Sequence, residues 1–254
     1  MKSDNPQTRR RRGKKRYIID ENTPFIITEA YKMARTNLIF SLSTSNNKVV
    51  VFTSCNPAEG KSTSCANMAI TLANTGSKVL LIDSDLRKPT MHKLLKLPNT
   101  KGLSTIISGQ CSINDARNKN VRENLDVITS GPIPPNPSEL LSSQKMVICL
   151  ELLQNKYDYI CIDTPPINVV SDALLYNNIT SGIIFIVREN ITRHSDISDA
   201  LNRIHMTNGK VLGFMKTACN PEAKSGGNYG YKYKYDYSRK LSTHQADNNT
   251  EAKK

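Results

Sequence analysis

The sequence predicts an α/β domain built on a mostly parallel sheet with helices on both faces. Three observations carry this. Short apolar, β-branched runs of strand length alternate with segments of helix length. The runs are apolar throughout rather than alternating, as strands covered on both faces require. The chain has 254 residues, 38 % of them hydrophobic, enough to bury the core of one such domain with tails to spare.

Taken in order, Thr28–Leu42 reads as a helix with Thr28 as its N-cap before Glu29. Lys48–Ser54 reads as a buried strand, followed by a polar loop at Cys55–Gly60. Lys61–Asn74 is helical and rich in small residues, and Gly76 ends it. Val79–Asp83 is a second buried strand and Leu125–Thr129 a third, short one. Gly131–Pro137 is a Pro-rich loop, because proline fits neither a helix interior nor a central strand. Ser138-Glu-Leu-Leu starts the next helix, and Tyr157–Asp163 is a strand ending in an acid. Gly182–Val187 and Val211–Met215 complete the set. The organisation expected is a basic tail at 1–20, a folded domain at 21–222 and a tyrosine-rich tail at 223–254.

Composition narrows the function classes. Aromatics make up 6 % and Trp is absent, which argues against an aromatic-lined sugar groove. The longest apolar runs, such as Val49–Phe52 and Ile183–Val187, fall far short of the roughly 20 residues of a membrane span. No apolar stretch follows the basic N-terminus, so no secretory signal is expected. Six cysteines occur without a CxxC pair, and Cys149, Cys161 and Cys219 stand among apolar residues. They read as reduced core residues of a cytoplasmic protein, not as a disulfide frame or zinc site.

The net charge of +13 is unevenly spread. Residues 1–17 contribute +7, residues 221–254 contribute +3, and the long middle only +3. The run Arg9–Arg16 has no apolar periodicity. It is compatible with a solvated tail, with attraction to anionic lipid, or with non-specific nucleic-acid contact.

The chemistry concentrates between the first strand and its helix. Ser54-Cys-Asn-Pro57-Ala-Glu59-Gly60-Lys61-Ser62-Thr63 ends as a phosphate-binding loop ends. Gly60 lets backbone N–H groups wrap phosphate, the helix N-terminus adds a positive dipole, Lys61 reaches the β/γ oxygens, and the Ser62 hydroxyl ligates Mg²⁺. Cys55 stands where the usual first glycine would be. Asp83 and Asp85 follow the second strand and Asp163 ends another. In a parallel sheet the carboxyl ends of the strands line the ligand crevice, so the three carboxylates converge on Mg²⁺ and the γ-phosphate. Asp163 suits a metal-holding role, with Ser62 and Asp85. Asp83 is placed to act on the metal or as a proton acceptor, and either it or Asp85 is the candidate base. Arg87 suits contact with phosphate or with a neighbour, and equally fits a surface residue.

Five of the ten tyrosines fall within nine residues: Tyr229, Tyr231, Tyr233, Tyr235 and Tyr237. Lys232, Lys234 and Asp236 interleave with them after Ser225-Gly-Gly227. An edge strand, a base-stacking strip and a phosphoacceptor tail all fit this pattern. As a phosphoacceptor, the tail would gain about −1.5 to −2 charge per phosphate.

These segments together resemble the bacterial tyrosine kinase family, in particular the soluble kind that regulates capsular or exopolysaccharide synthesis in Gram-positive bacteria. The resemblance spans roughly residues 20–237. It rests on the loop at 53–63, on Val79-Leu-Leu-Ile-Asp-Ser-Asp-Leu-Arg-Lys-Pro89, on Gly131-Pro-Ile-Pro-Pro-Asn-Pro-Ser-Glu-Leu-Leu141, on Tyr159-Ile-Cys-Ile-Asp-Thr-Pro-Pro166 and on the tyrosine cluster. It implies a P-loop NTPase fold related to the MinD/ParA ATPases, without their extra lysine at the start of the loop. It implies ATP and Mg²⁺, with Walker A, A′ and B roles on Lys61/Ser62, Asp83/Asp85 and Asp163. It further implies a membrane adaptor of the polysaccharide co-polymerase type as activator, which would hold the kinase at the inner face of the membrane. A cognate tyrosine phosphatase, phosphorylation of tails in trans, and a ring, octameric in the family, that phosphorylation loosens are implied as well. The family's E-x-x-R-x-x-R oligomerisation pattern reads Glu29-Ala-Tyr-Lys32-Met-Ala-Arg35 here; Lys32 replaces an Arg and loses bidentate carboxylate pairing. Gly213-Phe-Met-Lys-Thr217 departs from the family's Gly-x-Val-x-Asn. Two rivals remain: a non-kinase P-loop ATPase switch of the MinD/ParA type, and a nucleic-acid binder using both tails. No specific nucleic-acid partner is expected of the kinase.

Overall fold

The computed structural model describes residues 18–45 and 47–219. The basic run and the tyrosine cluster lie outside the described residues.

Seven strands form one sheet in the order β3-β4-β2-β5-β1-β6-β7. They are β1 (Val49–Ser54), β2 (Val79–Asp83), β3 (Arg117–Arg122), β4 (Leu125–Ile128), β5 (Tyr159–Asp163), β6 (Gly182–Arg188) and β7 (Val211–Thr217). All neighbours run parallel except β3, which pairs antiparallel with β4 at the edge. The central strands β1, β2 and β5 are buried at every position, which is why their sequences are apolar without alternation.

Successive side chains still point to opposite faces. Val50, Phe52, Leu81, Cys161 and Ile186 face α2 (Lys61–Ala73) and, beyond it, α1 (Phe25–Ser41). Val51, Leu80, Ile82, Ile162 and Phe185 face the other layer. That layer contains α4 (Leu103–Ile107), α7 (Gln144–Gln154), the 3₁₀ turn Asp172–Tyr176 and α8 (His194–Met206). Short helices α3 (Met91–Leu95), α5 (Ile113–Ala116) and α6 (Pro137–Leu141) fill the connections.

Several expectations need correction. The first helix starts at Phe25, with Pro24 at its N-cap and Thr28 already inside. The Pro24 carbonyl accepts from the N–H groups of Ile27 and Thr28 and so opens the helical ladder. Ahead of α1, Ile19 is buried and its N–H donates to Asn67 on α2 at 2.9 Å. Strand β3 was not expected, because its sequence is polar and half exposed. The helix starting near Ser138 stops after one turn, and α7 begins anew at Gln144 behind Ser143. Cys149 and Cys161 are buried, as are Cys55 and Cys65, but Cys219 is exposed because it lies past the last paired residue of β7. All six cysteines are free thiols.

One close approach joins the start of α4 to the segment after β4. A Cβ on Gly102 would lie 2.1 Å from the Gly131 nitrogen and 2.2 Å from the Thr129 carbonyl oxygen. Leu103 N–H donates to that same Thr129 oxygen, so the backbones cannot part without losing hydrogen bonds. Gly102→Ala is expected to destabilise the fold by about 1–3 kcal/mol through overpacking. Urea unfolding checks this; an unmoved midpoint would show that the contact yields freely.

Candidate active site

The carboxyl ends of β1, β2 and β5 meet at one place. β1 delivers the loop Cys55–Gly60 and the start of α2; β2 and β5 deliver Asp83 and Asp163, which are register partners on adjacent strands. Gly60 is the N-cap of α2 in a left-handed conformation, φ +97°, and Ala58 also has positive φ, +64°. These turns fold the loop over the positive end of α2, the arrangement that gathers N–H groups around an anion.

Lys61 sits at the centre. Its Nζ lies 2.8 Å from Asp163 Oδ1, 3.7 Å from Asp85 Oδ2 and 3.2 Å from Ser62 Oγ. The Ser62 hydroxyl, beside Lys61, also favours the charged form of Asp163. Burial pushes the Lys61 ammonium down, but Asp163 and Asp85 outweigh it and hold it above its ordinary range. Burial, the largest influence on Asp163, raises that carboxyl in spite of Lys61. Asp83 is pushed up to about 7, first by burial and then by Asp163. Asp83 and Asp163 thus share a buried space in which each disfavours the other's charged form.

Asp83 is also a scaffold. Its Oδ2 accepts from the N–H groups of Met91 and Thr90, at 2.9 and 3.2 Å, and its Oδ1 from Asp85 N–H at 3.2 Å. Asp85 Oδ1 in turn accepts from Lys88 N–H at 2.9 Å. Asp163 Oδ2 is different: it is buried and has no hydrogen-bond partner. A buried, unpartnered carboxylate oxygen beside a hydroxyl and a second carboxylate is the donor set of a hard divalent cation, and Lys61 Nζ lies among these groups. The residues therefore fit Mg²⁺ together with a nucleotide phosphate.

The remaining expected residues divide. Ser54 Oγ donates to the Asn56 carbonyl within the loop, Pro57 is exposed, and Thr63 is half-buried on the first turn of α2. The buried Glu59 carboxylate takes the Asn56 N–H at 3.0 Å and the Thr192 hydroxyl at 2.6 Å, so it braces the loop from behind. Glu29 and Lys32 pair at 2.8 Å on the surface of α1, while Arg35 donates to the Thr71 carbonyl on α2 at 3.0 Å. Arg87 is paired with the fully buried Asp172, Nε to Oδ2 at 2.8 Å, and reaches Ser138 at 2.6 Å. It is the neighbouring-side-chain reading of Arg87 that the geometry supports. The tyrosines at 229–237 lie outside the described residues.

Sequence reasoning missed a clamp on the loop. Thr217, at the end of β7, donates to the Glu59 carbonyl at 2.6 Å; Arg188, at the end of β6, donates to the Ala58 carbonyl; Asn56 Nδ2 donates to Asp196 on α8 at 2.9 Å. Arg188 ends β6, the neighbour of β1, Thr217 ends β7 one strand further out, and Asp196 lies in the first turn of α8; none carries a local signature. Asp172 was missed as well; its only signal was an acid placed in an otherwise apolar turn.

A family model described as an AAA domain matches residues 47–206. A putative tyrosine-protein kinase CapB of Staphylococcus aureus is 41 % identical over 187 residues, covering 74 % of this chain and 82 % of that one. Among solved structures, the chimerical protein CapA2B2 superposes with a TM-score of 0.73 at 36 % identity, covering 78 % of this chain and 87 % of the other. The kinase domain of Escherichia coli tyrosine kinase ETK gives a TM-score of 0.75 at 29 % identity, covering 87 % and 89 %. The Pyrococcus furiosus cell division ATPase MinD, at 22 % identity and a TM-score of 0.55 over 66 % and 70 % of the two chains, shares the fold. With a P-loop, a nucleotide-binding fold and these relatives, the chain belongs to the bacterial tyrosine-protein kinase family.

Proposed function

We propose that this tyrosine kinase moves the γ-phosphoryl group of ATP onto the cluster Tyr229–Tyr237 of a second copy of itself, and thereby regulates the making and export of a capsular or extracellular polysaccharide. One observation carries the reading: Lys61 is buried between Asp163 and Asp85 under a phosphate-binding loop. The loop N–H groups and Lys61 would hold the β- and γ-phosphates. Ser62, Asp85 and Asp163 would hold Mg²⁺, which supplies charge neutralisation between those phosphates when bound. Asp83, raised to about 7, is poised near neutral pH to take the phenol proton, and its scaffold bonds fix its direction. Positioning and electrostatics do the rest of such a transfer.

No described helix is long and apolar enough to cross a membrane. Membrane association is therefore assigned to an adaptor of the polysaccharide co-polymerase type, an idea supported by the chimerical form in which one relative was solved. The Glu29/Lys32/Arg35 face of α1 is the proposed contact between copies in a ring, and a tyrosine phosphatase would reset the tail.

Mixing tests the transfer in trans. An active chain with all five cluster tyrosines changed to Phe is combined with a Lys61→Met chain, ATP, Mg²⁺ and the adaptor's cytoplasmic segment. Phosphotyrosine on the Lys61→Met chain is the expected result. Phosphotyrosine on the native chain alone, with none in the mixture, would make the reaction intramolecular; none in either would overturn the reading.

A further inference from the structure

Two strand ends grip the phosphate-binding loop from outside. Arg188, the last residue of β6, donates through Nη1 to the Ala58 carbonyl. Thr217, the last residue of β7, donates through Oγ1 to the Glu59 carbonyl at 2.6 Å. The two are register partners, so adjacent strand ends hold two consecutive carbonyls. The grip is itself fixed. Arg188 N–H donates to Thr192 Oγ1 at 2.8 Å, and that hydroxyl donates to the buried Glu59 carboxylate at 2.6 Å. Thr217 also lies against the next residue: a Cβ on Gly60 would meet its Cγ2 and Oγ1 at 3.4 Å.

A trans peptide unit is planar, and its C=O and the following N–H point in opposite directions. Holding the Ala58 carbonyl toward β6 therefore turns the Glu59 N–H away from that strand. Holding the Glu59 carbonyl toward β7 turns the Gly60 N–H away in the same sense. Neither N–H donates to a protein oxygen among the described residues. Both stand directly before Lys61 at the start of α2. Ala58, with a side chain at φ +64°, does not favour this backbone by itself, so the loop needs support from its surroundings. We propose that Arg188 and Thr217 are positioning residues that aim the Glu59 and Gly60 N–H groups at the nucleotide's phosphates. This rests on the reading of the loop as the phosphate cradle. Without the two donors the peptide planes turn more freely, and the nucleotide must order them as it binds.

Thr217→Val keeps the shape of the side chain and removes its hydroxyl; Arg188→Met removes the other donor. Each is expected to weaken binding of ADP with Mg²⁺ about tenfold, measured by titration calorimetry on the full chain. The KM for ATP should rise by a similar factor while kcat moves far less, because an N–H on a phosphate serves ground state and transition state alike. Thr217→Ser keeps the hydroxyl and should restore the affinity. Inorganic pyrophosphate, read by displacement of a fluorescent ADP, should weaken by the same factor as ADP. Native ADP affinity in either variant overturns the proposal, and a lowered nucleotide-free melt beside it would show a structural brace only. Thr217→Ser binding as weakly as Thr217→Val overturns it too. So does a loss of ADP affinity with pyrophosphate unaffected, since the residue would then act on the nucleoside. A native chain that binds neither ADP nor pyrophosphate overturns the functional reading as well, which separates that failure from one confined to the variants.

Discussion

Lys61→Met is expected to lower phosphotyrosine formation by about 10²–10³-fold, the cost of removing one fixed charge from a transition state whose charge it meets. The chain's charge count changes by one, but the site changes by more. Lys61 offsets Asp163 at 2.8 Å and Asp85 at 3.7 Å, both nearly out of water. Met fills the volume and leaves the carboxylates facing one another. Breaking a buried pair from one side costs about 3–5 kcal/mol when the remaining charge stays charged. Here the carboxyls can protonate instead, because burial already raises Asp83 and Asp163. The variant should therefore be clearly less stable than the native chain at pH 8 and closer to it at pH 5. Kinase assays with the adaptor segment, and thermal unfolding at the two pH values, check both halves. A variant with native phosphotyrosine levels would remove Lys61 from the mechanism.

Much of this site was legible because its chemistry dictates residue types at strand ends. Val79–Asp83 and Tyr159–Asp163 show as apolar runs that stop on an acid, and Gly60-Lys61-Ser62 follows a third such run. Two-sided burial is what makes those strands continuous in sequence, so the strands that build the site could be recognised, but not their order in the sheet. β3 could not be read in this way. Arg117–Arg122 is polar, lies at the sheet edge and is held by backbone pairing to β4, which leaves no pattern in the side chains. The start of α1 was misplaced because a capping threonine is a stronger local signal than a proline whose carbonyl opens the helix. Arg87 and Asp172 are 85 residues apart, and Thr217 and Glu59 are 158 apart. Hydrogen bonds of that span depend on the completed topology, so they appear only once the strands are ordered.

Asp163→Asn should separate catalysis from stability. It leaves the packing of β5 in place but removes the charge that would hold Mg²⁺, and phosphotyrosine formation is expected to fall by about 10²–10³-fold. The stability effect runs through Asp83. In the native chain its folded pKa of about 7 lies above its ordinary value of 3.8, so the folded state binds the proton more tightly than the unfolded chain. Its contribution therefore declines as pH rises from about 4 to about 7 and is level above that. Asp163, also raised, adds a decline of the same sign. With Asn at 163 that second decline disappears, and the charge that is the next cause after burial of the Asp83 shift goes with it. Asp83 moves back toward its ordinary range, and the fall in melting temperature between pH 5 and pH 7.5 should shrink. Lys61 keeps Asp85 as a partner, so the ammonium is not orphaned. The decisive measurement is the pH dependence of thermal unfolding for both chains without nucleotide. If the variant loses activity but keeps the native slope, Asp83 and Asp163 are not coupled, and the base assigned to Asp83 loses its physical ground.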